Sequence, residues 1–126
     1  MHFTKYQMYD LINRPGPLWL VNADFSKAYL GWVTINGASI SGCNFSNAIV
    51  CRAKLTNNFM GAVNFTDANL IGTDFSGSDM SGDNLCGADL TEAILFEVDL
   101  INATYNAATK WPAGFDPVAA GAILVP

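Results

Sequence analysis

The chain is 126 residues long, 51% hydrophobic and 13% charged, with a net charge of −5. Charged residues stand well below the usual share of about 25%, and the six Lys and Arg are scattered, which excludes non-specific grip on a phosphate backbone. One domain is expected, and the apolar run from Pro17 to Val21 falls far short of the ~20 residues that span a bilayer.

Residues 1–17 form a first segment. Thr4-Lys5-Tyr6-Gln7 reads as a capping box, with Phe3 and Met8 placed for a hydrophobic staple. Met8, Leu11 and Ile12 share one helical face, so a short helix from about Lys5 to Asn13 is predicted, ended by Pro15-Gly16-Pro17. Leu18-Trp19-Leu20 leads into the next segment. The segment has no apolar stretch of secretory length, and a cytoplasmic location is the expectation.

From Phe25 to Tyr105 an apolar residue stands at every fifth position without a miss, seventeen in all. The residue two places before each centre is small at 15 of the 17 sites, nine of them Ala, the exceptions being Asn58 and Asp83. The place just before the centre is often Asp or Asn, and the place just after is often Ser or Thr, as in Ala23-Asp24-Phe25-Ser26-Lys27. Five matches neither the helical period of 3.6 nor the strand period of 2, so neither element keeps all the centres on one buried surface. A quarter-turn per unit does. Four units then close a square coil of twenty residues with centre and small residue pointing inward, and stacked coils pair as parallel strands ~4.8 Å apart, which satisfies the backbone groups. Six units end in Gly, where a tight turn can require positive φ, and no Pro occurs between Pro17 and Pro112 to interrupt the pairing.

These units resemble the pentapeptide-repeat family, whose motif is A(D/N)LXX, over residues 18–107 without a gap. The resemblance implies an all-β solenoid, a right-handed quadrilateral β-helix of about four coils. Asn58 and Asp83 depart from it in the inward slot, and Ile49, Phe59 and Ile94 depart where Asp or Asn is usual. Bulges or buried polar contacts are expected there. An inward carboxylate at Asp83 without partners is costly and shifts its own pKa upward or distorts the coil, and a local bulge with hydrogen bonds is the favoured outcome.

Residues 108–126 leave the register. Trp111 and Phe115 sit among turn formers and read as a lid on the last coil, and Asp116-Pro117 suits the start of a short helix through Val118 to Ala122. The segment is similar to the C-terminal tail of cyanobacterial members of the family. The expected organisation is therefore a helical cap over 1–17, the solenoid over 18–107 and a C-terminal cap over 108–126.

The chain carries few groups suited to catalysis. His2 is the sole histidine, so a Ser-His or Cys-His nucleophile has no base, and no zinc, phosphate-loop or dinucleotide motif is present. No cofactor, no metal and no enzymatic activity are expected. Asp74, Asp79, Asp83, Asp89, Glu92, Glu97 and Asp99 crowd the later coils, yet on a square coil most fan outward instead of converging as calcium requires. Cys43 is placed inward and Cys51 and Cys86 outward on different faces, as free thiols in a reducing compartment.

Residues twenty apart fall in columns. Phe25, Phe45 and Phe65 form one inward stack, continued by Leu85 and Tyr105. The outward places of that first face are polar: Asp24, Asn44, Asn64 and Asn84. The second face instead carries Tyr29, Trp32, Ile49, Cys51, Arg52 and Ile71. Exposed apolar area of this kind marks partner sites, and Tyr, Trp and Arg are enriched in hot spots. Tyr29, Trp32, Ile49, Arg52 and Ile71 are the candidate interaction surface, with packing of Tyr29 and Trp32 beneath the N-terminal helix as the competing possibility. The sequence thus points to a rigid, non-enzymatic interaction module for an unidentified protein partner or a second copy, with neither nucleic acid nor membrane as a direct partner. The alternative is an acidic mimic of DNA that binds a nucleic-acid enzyme such as gyrase, as the gyrase-protecting members of the family do.

Overall fold

Parallel backbone pairing at intervals of twenty residues organises the chain. The structure, a computed structural model, describes residues 4, 6, 7, 10 and 19–126. Single parallel bridges run Trp19 to Ser39 to Phe59 to Asp79 to Asp99, and Asp24 to Asn44 to Asn64 to Asn84 to Thr104, with matching columns for the two other sides. Pairing lengthens into short strands where β1 (Thr34–Asn36) lies parallel to β2 (Lys54–Thr56), in the register Thr34 with Lys54. The twenty-residue coil expected from the five-residue spacing is the one observed.

The unit Ala68-Asn69-Leu70-Ile71-Gly72 shows why this winding is stable. The Ala68 N–H closes a turn on the Phe65 carbonyl, and the Asn69 N–H reaches Ala48 in the coil below. The Leu70 and Gly72 N–H groups reach Asp89 and Thr91 in the coil above. The Ile71 N–H is taken by the side-chain Oδ1 of Asn69 at 3.1 Å. Every backbone donor of the unit therefore has an acceptor. The last bond explains the Asp or Asn that precedes nine of the seventeen centres: its carboxylate or carboxamide folds back on the N–H two residues on, an Asx turn. Asp24, Asn44, Asn64, Asp74, Asp79, Asn84, Asp89 and Asp99 do the same.

Each unit turns at its last residue, which adopts positive φ at every fifth place from Asn22 to Asn102. Gly77, at φ 72°, fits this without cost, but eleven of these corners are not glycine, among them Trp32 at 67° and Ala62 at 57°. An L-residue gives up about 1–2 kcal/mol there. The pairing on both sides of each corner holds it.

The inward centres form one continuous core from Phe25 to Tyr105, with Leu95 partly buried in the last regular coil. Phe25 stacks on Phe45 with ring centroids 5.0 Å apart, and Phe45 on Phe65 at 5.4 Å, an offset arrangement that adds to burial. Phe65 meets Phe75 edge-on at 6.0 Å. Cys43 is buried within this core, where desolvation raises its thiol pKa, while Cys51 and Cys86 lie half-exposed outside, all three as free thiols.

The expected bulges are absent from Asp83 and from Ile49, Phe59 and Ile94. Asn84, next to Asp83, pairs in register with both Asn64 and Thr104, and Ile49, Phe59 and Ile94 each keep their place in the ladder. The reason is that pairing uses backbone alone, so an outward side chain is free to vary. Asp83 and Asn58 fit inward because they enter the turn bonding of the coil below. Asn58 accepts the Ala38 N–H at 2.8 Å and donates to the Ile35 carbonyl at 3.0 Å, and Asp83 accepts the Val63 N–H at 2.8 Å. Burial pushes the Asp83 carboxyl up to about 9, against the lowering effect of that Val63 bond and with a further push from Asp79.

At the N-terminus the capping-box bonds are present: the Gln7 N–H donates to Thr4 Oγ1 at 3.1 Å and the Thr4 N–H to Gln7 Oε1 at 2.8 Å. Tyr6, Gln7 and Asp10 are helical. The Phe3–Met8 staple, the Met8, Leu11 and Ile12 face and the Pro15-Gly16-Pro17 stop lie outside the described residues. At the other end the chain continues to pair instead of simply crossing the last coil. Lys110 bridges Asp89 one residue out of step, and β3 (Thr104–Tyr105) lies parallel to β4 (Ile123–Leu124). Trp111 meets the Tyr105 ring edge-on at 5.4 Å and stacks on Phe115 at 5.2 Å, so these rings cover the open end of the aromatic column. Asp116 Oδ1 accepts the N–H groups of Val118 and Ala119, which caps the 116–121 turns. They stay turns and do not lengthen into a helix.

Since Phe45 is sandwiched between two rings in a closed column, Phe45→Ala lowers unfolding free energy by about 3–5 kcal/mol, measured by urea denaturation.

Candidate interaction face

The ladder sets which outward side chains are neighbours. Tyr29 and Ile49 are bridge partners, and Ile49 in turn pairs with Asn69, so the three stand in one column about 4.8 Å apart per coil. Trp32 and Arg52 occupy successive corners beside that column, both at positive φ. Tyr29, Trp32 and Ile49 are 65%, 72% and 40% exposed. Tyr29 and Trp32 are therefore exposed among the described residues, and the N-terminal segment expected to compete for them lies largely outside those residues. Ile71 is half-buried one coil further on, and the next coil carries Asp89, Thr91 and Glu92 in the same places. The apolar surface thus occupies the first two coils of this wall and grades into an acidic one.

Arg52 behaves differently from the other four. Its guanidinium lies along the wall past Gly72, where a Cβ would come within 2.9 Å of Nη1, and reaches Glu92 at 3.5 Å. Glycine at that corner leaves the path open. Both side chains are largely in water, so the pair adds little to stability and serves to aim Arg52 away from the aromatic pair.

The structure also exposes apolar residues that the sequence reading did not single out as a site. Trp19, Val21 and Phe59 are open to solvent on the wall opposite Tyr29, two of them above 60%. Trp19 and Phe59 share a column with Ser39 between them. The signal was available: the place before each centre always points outward, so an aromatic there is exposed by construction. Among the described residues no group of three His, Cys, Asp or Glu side chains is placed to hold a metal ion, and no helix is long and apolar enough to cross a membrane.

Coils of twenty residues, with inward centres and Asx-closed turns, define a class of parallel β-solenoid. The chain belongs to the pentapeptide-repeat family: the family model for pentapeptide repeats, in eight copies, matches residues 20–57 and 43–82, together half of the chain. Solved pentapeptide-repeat structures share the fold. A protein from the cyanobacterium Cyanothece 51142 (Rfr23) matches with a TM-score of 0.75 at 24% identity, over 79% of this chain and 67% of that one. A protein of the Arabidopsis thaliana thylakoid lumen matches at 0.60 and 22% identity, over 71% of this chain and 66% of that one. HetL of Nostoc, involved in regulation of heterocyst differentiation, matches at 0.59 and 19% identity, over 83% of this chain and 56% of its own. The chain spans about two thirds or less of the length of these three structures. Among curated proteins no relative was found.

Trp32 combines high exposure with a backbone that favours glycine. Trp32→Gly therefore raises unfolding free energy by about 0.5–1 kcal/mol, the left-handed cost removed less the added entropy of glycine in the unfolded chain, as read from urea midpoints.

Proposed function

We propose that this protein is a non-enzymatic interaction module, a rigid post whose second wall presents Tyr29, Trp32 and Ile49 to a protein partner or to a second copy of itself. One observation carries the reading. Tyr29 and Ile49 stand in the place where Asp or Asn closes the turn in nine of the units, and neither carries a side-chain carboxylate or carboxamide to accept the N–H two residues on. The chain forgoes a turn bond at two successive coils and places large apolar groups in water instead. Neither choice helps the isolated fold, whereas exposed Tyr, Trp and apolar neighbours suit a binding surface.

Arg52 and Ile71 flank the patch, one held toward Glu92 and the other half-buried, so they form its rim. Catalysis draws no support from the sequence, whose only histidine is His2. A cytoplasmic setting suits the three free thiols. The alternative of an acidic DNA mimic rests on a net charge of −5 over the whole chain, thin beside one charge per ~1.7 Å of duplex.

Ile49→Glu places a carboxylate in the centre of the patch without entering the core. Affinity capture and light scattering on both proteins test the reading: the variant keeps the native urea midpoint and loses the captured partner or the dimer mass. Equal capture and equal mass for the two would refute it.

A further inference from the structure

A polar side chain in the inward slot of this coil has a fixed destination. Five of them donate a hydrogen bond to the carbonyl of a centre in the coil below. These are Cys43 to Leu20, Asn58 to Ile35 at 3.0 Å, Thr73 to Val50 at 2.8 Å, Ser78 to Leu55 at 2.8 Å and Thr109 to Leu85 at 2.9 Å. The sequence offset is 23 residues in the first four and 24 in the last, after the register slips by one. The same offset from Asp83 leads to the carbonyl of Met60.

Asn58 and Ser78 show what such an insertion involves. Each also accepts an N–H that would otherwise close its own turn: Ala38 donates to Asn58 Oδ1 at 2.8 Å and Asn58 to Ser78 Oγ at 3.0 Å. Asp83 performs this accepting half, taking the Val63 N–H on Oδ1 at 2.8 Å and so drawing it from Met60. Its Oδ2 is buried and has no hydrogen-bond partner. Two acceptors, Oδ2 and the Met60 carbonyl, then occupy the place where every other inward polar residue supplies a donor.

We propose that Asp83 is held in the folded coil as a neutral carboxylic acid whose Oδ2–H donates to the Met60 carbonyl, so that this rung of the solenoid is locked by one proton. The surroundings favour that state. The stretches packed around Asp83 are 58–67 below, 78–87 on its own level and 98–107 above, and they contain no Lys, Arg or His. Their titratable groups are Asp67, Asp79, Asp99, Cys86 and Tyr105. Asp79 and Asp99 engage their Oδ1 atoms in the turns at Ser81 and Ile101. No cation is there to balance a second negative charge, and an unpaired charge in the core is far more costly than a neutral acid with both halves bonded.

The sign of the pH effect follows. Unfolded, the group has a carboxyl pKa of about 3.9 and is ionised at neutral pH, whereas the native chain keeps the proton. Unfolding therefore releases a proton, and stability is highest near and below the unfolded value and falls as pH rises toward the folded one, by up to about tenfold per pH unit in the unfolding constant. Asn at the same position already carries the donor, as Asn58 demonstrates.

Urea unfolding of the native chain and of Asp83→Asn at pH 5, 6, 7 and 8, with proton release on unfolding of the native chain at pH 7, tests the proposal. The expected result is that the native unfolding constant gains about tenfold per pH unit over that of Asp83→Asn, that the variant is the more stable at pH 8, and that the native chain releases about one proton. Parallel pH profiles, failure of Asp83→Asn to fold, or release of no proton would each overturn it.

Discussion

The constraint on which the molecule depends is the pairing of backbone donors within and between the five-residue units, completed by an Asx side chain in nine of them. An unpartnered N–H in the interior costs about 1–3 kcal/mol, a large fraction of a typical domain's total stability. In the unit 68–72 one donor closes the inner turn, one bonds down, two bond up and one folds onto Asn69. That division leaves side chains few duties. The centre fills the core, the slot before it stays small so that the next corner can close, and the Asx residue supplies the fifth acceptor.

Tolerance follows from the same arrangement. Because the ladder is made of backbone, Ile49, Phe59 and Ile94 replace an Asx residue without displacing their coil. Because each corner is clamped by bonds on both sides, Trp32, Arg52 and Glu92 accept a left-handed backbone that an isolated peptide would avoid. Inward polar residues survive only under a stricter condition. Asn58, Thr73 and Ser78 each return a donor to the coil below, and Asn58 and Ser78 an acceptor as well. The surface is permissive and the interior keeps a strict account.

How much of this was legible in the amino-acid sequence depended on whether a feature repeats. The twenty-residue coil, the Phe25, Phe45 and Phe65 stack, the inward Cys43 and the exposed Tyr29, Trp32 and Ile49 follow from periodicity, which fixes direction for every side chain at once. Features that occur once or twice were not legible. Asp83 was expected to bulge because its partner, the Val63 N–H, lies twenty residues away in a turn that sequence alone does not show as open. Trp19 was read as a lead-in and Phe59 as an irregularity, although both occupy an outward place. The strand β4 has no sequence signal, because its pairing with β3 spans 19 residues after the five-residue spacing has ended.

Counting in fives also links local edits to global orientation. Each wall is a set of residues that agree modulo twenty, so Tyr29 and Ile49 are neighbours only through the number of residues between them. Inserting one whole coil would lengthen the post and leave its walls aligned, whereas inserting a single unit after Ala38 would rotate everything downstream by a quarter-turn. Ile49 would then come to rest round the corner from Tyr29, with every local sequence motif still intact. Phase along the chain is thus a hidden coordinate of this surface, as consequential for recognition as the identity of the side chains themselves.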